Sequence, residues 1–232
     1  MFYYYDTNYF LYALITLTIT MFAHFRVKFM FNKYSKIKCR KSITGLQSSE
    51  NVLYQNNING VEICHIHGQY NDYYDPRNNK ISLSDPIYNE ASIAAVGIAS
   101  HEAGHAVQYA KNYGFVKARQ RLVPITQLCS SLSTPIICLG LMLPVQYNFI
   151  VNFGILLFSF AVLFQLVTLP VEFDASKRAL VALQNSGNLT DEEMKGTKKV
   201  LSAAAMTYVA ALFTSLISLI RLVLISSHRN DD

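Results

Sequence analysis

The sequence H-E-A-G-H at residues 101–105 has the residue types and the spacing of a helical metal site. Residues four apart on an α-helix lie one above the other, so His101 and His105 can present their imidazoles to one zinc ion. Glu102 lies beside them, where a carboxylate can take a proton from a zinc-activated water and pass it to a leaving amine. The pattern therefore predicts hydrolysis of a peptide bond, with Zn²⁺ as the cofactor.

The same residues could instead lie on an amphipathic helix that binds no metal, because H-E-x-x-H is frequent by chance. The flanks, 94–99 and 106–107, are apolar, so the two histidines and the glutamate would be polar groups on a largely buried helix. Burying such groups without partners is costly. Since a metal ion supplies a partner, the flanks favour the metal site.

A catalytic zinc site needs a third protein ligand and an open position. Glu172 and Asp174 directly follow a long apolar run, and Pro170 before them is suited to the start or a kink of a helix. Two residues that are two apart on a helix cannot both face one ion, so one would bind it and the other would support it. Without metal, the pair could simply stabilise a helix N-terminus. The residues themselves leave the choice open.

Long uncharged stretches predict that this site belongs to a membrane protein. Of the 232 residues, 51% are apolar and 15% are charged, against about 25% charged in a typical soluble domain. No Asp, Glu, Lys, Arg or His lies between Arg121 and Glu172, a gap far longer than the ~20 residues that one span requires. We expect a mainly α integral membrane protein with about four transmembrane helices and a small cytoplasmic zincin-like α+β metallopeptidase region.

The apolar runs divide the chain into segments. We predict an N-terminal anchor at 1–25, a cytoplasmic segment at 26–124 with the metal-binding helix at 89–113, a transmembrane hairpin at 125–169, a cytoplasmic helical segment at 170–199 with the third ligand, and a transmembrane helix at 200–221. Basic residues follow the first run, unlike those of a secretory signal. The positive-inside rule then places the zinc site of this multi-pass cell-membrane protein on the cytoplasmic side. Arg221 and Arg229 oppose this orientation, but the larger basic excess supports it.

The polar segment contains further candidates. Alternating residues predict a strand at Lys80–Ser84, which either pairs with an extended substrate or completes a small local sheet. His65 and His67 form an H-x-H pair that is either a metal site or two solvated histidines. Donors that could stabilise a transition-state oxyanion are Tyr74, Tyr109, Tyr113 and Arg178.

The net charge of +5 does not indicate nucleic acid, because the basic residues gather beside apolar runs and do not form a separate face with aromatics. The four cysteines lack C-x-x-C spacing, so neither a disulfide framework nor a cysteine metal site is predicted. The expected partners are a protein or peptide substrate and the lipid bilayer, and the oligomeric state is left open.

Several blocks agree in order with a known family. They are VGIASHEAGHAVQYA, the preceding YDPRNNKISLSDPIYNEASIAAVGIA, and the later LLFSFAVLFQLVTLPVEFDASKRAL and KGTKKVLSAAAMTYVAALFTSL, with the basic NKYSKIK after the first run. Over nearly its whole length, the chain resembles the YugP-like neutral zinc metallopeptidases of bacterial membranes. The resemblance implies a membrane zinc peptidase.

The chain is more distantly similar to membrane-bound gluzincins of the HtpX and CAAX-prenyl protease type, in which H-E-x-x-H precedes transmembrane helices and then E-x-x-x-D. This similarity implies that Glu172 is the zinc-binding glutamate. The aspartate of that motif falls at Ser176 here, so its supporting role would be absent or moved, for instance to Asp174.

Three functions follow from these patterns. The first is a cytoplasm-facing zinc endopeptidase that cuts membrane-associated or misfolded proteins. The second is an intramembrane protease in which Ala91–Ala110 crosses the bilayer, although its polar side chains oppose this. The third is a catalytically silent membrane scaffold that keeps the helix for structure. The substitution Glu102→Gln distinguishes an enzyme from a scaffold.

Overall fold

The computed structural model describes residues 2–69 and 71–231, so Met1, with which the predicted anchor begins, lies outside the described residues. The elements, in chain order, are α1 (Phe2–Tyr34), α2 (Gly45–Gln55), β1 (Glu62–Ile66), β2 (Tyr73–Asp75), β3 (Lys80–Ser84), α3 (Asp85–Tyr88), α4 (Ile93–Ala110), α5 (Gly114–Met142), a 3₁₀ turn (Val145–Tyr147), α6 (Asn148–Ser186) and α7 (Asp191–Asp231). The protein is therefore mainly α with a small sheet, as predicted.

The chain divides into two compact units. The polar unit comprises His24–Lys117 and Pro170–Met206. The apolar unit comprises the residues up to Ala23, Ala118–Leu169 and the residues from Thr207 onward. Helices α1, α5, α6 and α7 each contribute residues to both units.

Four helices of the described chain are long and apolar enough to cross a membrane, which confirms the predicted number. They are Phe10–Tyr34, Gly114–Met142, Val145–Ser186 and Asp191–Arg229. Between 6% and 22% of the most apolar window of each helix is buried within the protein. Apolar side chains that protein does not cover are stabilised by lipid. The exposed apolar faces of these helices are therefore those expected of a membrane protein.

The apolar helices extend beyond the uncharged runs. Helix α6 continues from the apolar residues through Pro170 to Ser186, so this proline does not start a helix. A proline inside a helix costs about 3 kcal/mol, because it removes a hydrogen bond and crowds the preceding turn. Here the packing of the following residues outweighs that cost, since Val171 and Glu172 are almost fully buried.

Within the apolar unit, a small neutral polar cluster joins α6 to α7. Asn148 Nδ2 donates to both the carbonyl oxygen and Oγ of Ser226, each at 3.0 Å. Ser226 Oγ donates in turn to Asn152 Oδ1. In the same unit, Ile137, Val151 and Ile155 form a buried apolar group.

Arg229 connects the last turn of α7 to the end of α5. Its guanidinium donates to the carbonyl oxygens of Gly140, at 2.6 Å, and Leu143. The C-terminal carbonyls of a helix attract a cation. This charge, which opposes the orientation predicted from the sequence, thus has a structural role in capping α5.

The polar unit contains a three-stranded sheet in the order β1-β3-β2. The predicted strand Lys80–Ser84 has the expected bounds and lies in the centre. Ile81 is paired with Ile63 of β1 in parallel and with Tyr74 of β2 in antiparallel register. The hypothesis that a substrate pairs with this strand is wrong, because both of its edges already carry a neighbouring strand. The strand instead completes a local sheet.

Candidate metal centre

Helix α4 carries the H-E-A-G-H motif and is buried in the core of the polar unit. Ser92 caps its N-terminus, where the Oγ accepts a hydrogen bond from Ala95 N at 3.2 Å. Ser49 on α2 donates from Oγ to the carbonyl oxygen of Ala99 at 2.7 Å. The buried apolar face of α4 consists of Ala94, Ala95, Val96, Ala99, Ala103, Ala106 and Val107. The motif is therefore held on a helix whose rotation is restricted by packing on α2.

Gly104 allows α4 and α6 to approach closely. A Cβ at this position would lie 2.5 Å from the carbonyl oxygen of Ala175, a backbone atom that cannot turn away. Only glycine fits such a contact without moving one of the helices. The glycine between the two histidines therefore determines how near Glu172, on the facing helix, comes to them.

Three side chains converge at this helix contact. Nε2 of His101 lies 3.3 Å from Glu172 Oε2, and Nε2 of His105 lies 3.5 Å from the same oxygen. The ligand atoms of all three lie within 4.8 Å of one another. Zinc binds such atoms at about 2.0–2.2 Å, which separates neighbouring ligands of a tetrahedral ion by about 3.3–3.6 Å. Among the described residues, no other His, Cys, Asp and Glu side chains form a comparable group of three.

The second ring nitrogen of each histidine also has a partner. Nδ1 of His101 lies 3.1 Å from Ser176 Oγ, and Nδ1 of His105 lies 3.1 Å from Gln108 Oε1. Such partners orient metal-binding imidazoles, and here they leave each Nε2 directed at Glu172. Two imidazole nitrogens and one carboxylate are the donor set of many catalytic zinc sites, with a fourth position for water or substrate. These residues therefore fit a zinc ion.

Burial and neighbouring charges shape the electrostatics of the site. Burial raises the pKa of the Glu102 carboxyl, while the two histidines act in the opposite direction. Burial alone would lower the pKa of His105, but the Glu172 carboxylate outweighs it and raises that pKa. A buried carboxylate with a raised pKa is a better proton acceptor than a solvated one. Glu102 therefore has the environment of a general base.

The structure brings Glu172, and not Asp174, to the histidines. Asp174 Oδ2 accepts hydrogen bonds from Gln108 Nε2 at 2.8 Å and from Arg178 Nε at 2.5 Å. The two acidic residues face different neighbours because they are two apart on a helix. Of the two carboxylates between which the residues alone left the choice open, Glu172 is therefore the one that lies next to the histidines.

Two of the four predicted oxyanion donors have other partners. The hydroxyl of Tyr74 donates to Asn79 Oδ1 at 2.8 Å, and its ring lies 5.5 Å from that of Tyr109. Arg178 holds Asp174, and its guanidinium lies 5.6 Å from the centre of the Tyr113 ring. The hydroxyl of Tyr74 and the Nε of Arg178 are therefore engaged away from the three converging atoms.

The H-x-H pair lies at the carboxyl ends of β1 and β3. His65 Nε2 and His67 Nδ1 lie 2.8 Å and 3.5 Å from Asp85 Oδ1. The His67 side chain is 96% exposed and that of His65 is 37% exposed. These residues do not belong to the group of three that meets the distance for a shared ion within the described chain. The solvated alternative is therefore favoured.

Two residues of the site were not selected as site residues from the sequence. Gln108 lies one turn beyond His105 on the same face of the helix. The signal in the sequence that points to this residue is an amide side chain on an otherwise apolar part of the helix. Ser176 lies one turn beyond Glu172, at the position that carries aspartate in the E-x-x-x-D pattern. Its hydroxyl lies within hydrogen-bond distance of His101 Nδ1.

Four helices of membrane-crossing length, and two partly buried histidines that meet a buried glutamate on the facing helix, are features expected of a membrane zinc metallopeptidase. Comparison with known proteins agrees. The family described as "Putative neutral zinc metallopeptidase" matches residues 9–227, and the chain belongs to this family. It is 40% identical over 220 residues to the "Putative membrane protease YugP" of Bacillus subtilis (strain 168), across 95% of this chain and 97% of that protein. No solved structure matches the chain.

Proposed function

We propose that this chain is a membrane-embedded zinc-dependent endopeptidase. His101, His105 and Glu172 are its zinc ligands, and Glu102 is its general base and acid. The observation that carries the proposal is the convergence of three ligand atoms within 4.8 Å of one another. The buried Glu102 directly follows the first of these ligands, His101, in the sequence. Membership of a family described as zinc metallopeptidases supports it.

The reaction is hydrolysis of a peptide bond. Bound zinc would act as a Lewis acid, which polarises the peptide carbonyl and lowers the pKa of water. The Glu102 carboxylate takes a proton from the attacking water as the C–O bond forms, and it gives that proton to the amide nitrogen as the C–N bond breaks. The contacts of His101 with Ser176 and of His105 with Gln108 orient the two imidazole rings toward the ion.

The test of activity uses the full chain purified in detergent and a peptide library made by digesting total membrane protein. We expect about one zinc per chain in the wild type and in Glu102→Gln, because this glutamate is not a ligand. New peptide termini, counted by mass spectrometry, should form only with the wild type. Equal cleavage by Glu102→Gln would contradict the role of Glu102. A folded, metal-repleted wild type without zinc would support the scaffold instead.

The proposed substrates are membrane-associated or misfolded proteins, and the proposed site faces the cytoplasm. Every lysine of the chain lies in the polar unit. Positively charged residues next to membrane spans are retained on the cytoplasmic side. The distribution of lysine therefore supports a cytoplasmic polar unit.

The lysine distribution also provides the test of orientation. A membrane-impermeant amine reagent, applied to intact spheroplasts, should leave Lys195 and Lys198 unmodified until the cells are lysed. Modification before lysis would reverse the proposed orientation. Modification after lysis is the internal control that these side chains are reactive.

The intramembrane alternative requires α4 itself to cross the bilayer. Among the described residues, α4 is not one of the four helices that are long and apolar enough to do so. Its residues are instead buried in the core of the polar unit, partly against α2. These observations favour the endopeptidase in which α4 belongs to the polar unit.

A further inference from the structure

Gln108 is fully buried on α4, one turn beyond His105. Its Nε2 donates to the carbonyl oxygen of Val171 at 2.7 Å and to Asp174 Oδ2 at 2.8 Å. A side-chain amide has two N–H donors on nitrogen and only acceptor positions on oxygen. Because both N–H groups are directed at acceptors, the amide oxygen must point the other way. That direction is toward His105.

The orientation of the amide determines where His105 carries its hydrogen. Gln108 Oε1 lies 3.1 Å from His105 Nδ1. An amide oxygen can only accept, so Nδ1 must be the donor. In the neutral imidazole the lone pair then lies on Nε2, which is the atom directed at Glu172 Oε2. Gln108 thereby selects the tautomer in which Nε2, the nitrogen on the side of Glu172, is free to bind a metal ion.

Asp174 and Arg178 keep the amide from turning over. Arg178 Nε donates to Asp174 Oδ2 from one turn further along α6. If the Gln108 amide were reversed, its oxygen would face the carbonyl oxygen of Val171 and Asp174 Oδ2, and neither of these two contacts would contain a donor. The ion pair of Asp174 and Arg178 therefore fixes the orientation of the Gln108 amide, and that amide in turn orients His105.

His101 lacks this restriction. Its Nδ1 faces Ser176 Oγ at 3.1 Å, and a hydroxyl can donate or accept according to its rotation. The two histidines of the motif are thus held in different ways. The orientation of a single amide determines the tautomer of His105, whereas the partner of His101 can adapt.

We propose that Gln108 is a positioning residue that holds His105 in the Nδ1-protonated tautomer for metal binding, and that Asp174 acts through Gln108 and is not a ligand. The inference rests on the metal site of the proposed function. Loss of such a partner typically weakens metal affinity by about 10- to 100-fold. Gln108 should therefore matter for zinc affinity although it does not touch the ion.

The first experiment measures zinc affinity of the full chain in detergent by competition with a chelator. Gln108→Met has similar length and no amide, and we expect it to weaken zinc binding by about 10- to 100-fold. The matched control is Ser100→Ala, because Ser100 is equally buried on α4 and its hydroxyl donates to Ser48 Oγ at 3.2 Å. This control should bind zinc as the wild type does. A folded Gln108→Met with wild-type affinity would overturn the inference.

Asp174→Ala separates a supporting role from a ligand role. We expect it to bind one zinc per chain at saturation, with an affinity between those of the wild type and Gln108→Met. Complete loss of zinc in a folded Asp174→Ala protein would make Asp174 a ligand and overturn the inference.

A second experiment does not depend on any variant. In the wild type loaded with cadmium-113 and labelled with ¹⁵N-histidine, the metal-coupled nitrogen of His105 should be Nε2. Coupling to Nδ1 would overturn the inference even if Gln108→Met fails to fold. A wild type that binds neither zinc nor cadmium would contradict the proposed function, whereas tight binding that is insensitive to Gln108→Met would contradict this inference alone.

Discussion

One polar cluster in each unit shows a different way of satisfying polar groups between helices. In the apolar unit, the buried amide of Asn148 and the buried hydroxyl of Ser226 pair as neutral donor and acceptor, and Ser226 also donates to the exposed Asn152. In the polar unit, Nε2 of His105 and the carboxylate of Glu172 face each other, and both are acceptors when Nδ1 carries the hydrogen. Two such acceptors need a cation between them, either a proton or a metal ion. Neutral pairs join helices, whereas converging acceptors create a binding site.

The largest expected difference between the units is in metal content. His101→Ala combined with His105→Ala removes two of three ligands, so zinc should fall from about one per chain to background. The matched change in the apolar unit is Asn152→Ala combined with Ser226→Ala, which should leave about one zinc per chain. Elemental analysis of the purified proteins measures both. Zinc retained by the histidine double variant would remove the distinction between the units.

Metal removal should destabilise the polar unit selectively. A ligand present at 100 to 1,000 times its dissociation constant stabilises the folded state by about 2.7–4.1 kcal/mol. Thermal unfolding in detergent, with and without a chelator, measures the total effect. Hydrogen exchange should rise in α4 and in the part of α6 after Pro170, but not in 125–142 of α5. Equal changes in both parts would show that the metal does not act locally.

Gly104→Ala should have an intermediate effect on both stability and zinc affinity. The added methyl group meets the backbone of α6, and overpacking of this kind costs about 1–3 kcal/mol. Glu172 moves with that backbone, so zinc affinity should fall in the same variant. Gly114→Ala is the control, because a Cβ there meets nothing within 4 Å. If both variants bind zinc equally tightly, the close helix contact does not position the site.

Ser226→Ala should have the smallest effect. It removes the hydroxyl that joins Asn148 to Asn152, and hydrogen bonds between membrane helices contribute about 0.6 kcal/mol on average. We therefore expect a slightly lower midpoint of thermal unfolding and unchanged zinc affinity. A large loss of zinc would show that the neutral cluster and the metal site are coupled.

Much of the fold and part of the site could be predicted because their signals are local. The four long apolar helices follow from runs of uncharged residues of sufficient length, and the strand at Lys80–Ser84 follows from alternation over five residues. The helix ends were predicted less well, since charged residues after Leu169 continue α6 without interruption. Helix propagation depends on backbone hydrogen bonds and not on apolar side chains.

The sequence by itself determined that His101, Glu102 and His105 share one region of a helix, because spacing of four residues and helical geometry are enough. Only the tertiary structure decided that Glu172 and not Asp174 meets the histidines, that β3 is a central strand, and that Gln108 faces His105 with its oxygen. Glu172 lies 71 positions from His101, and Asp174 lies 66 positions from Gln108. Such choices depend on how closely α4 and α6 pack, and that distance is determined by the contact of Gly104 with the backbone at Ala175.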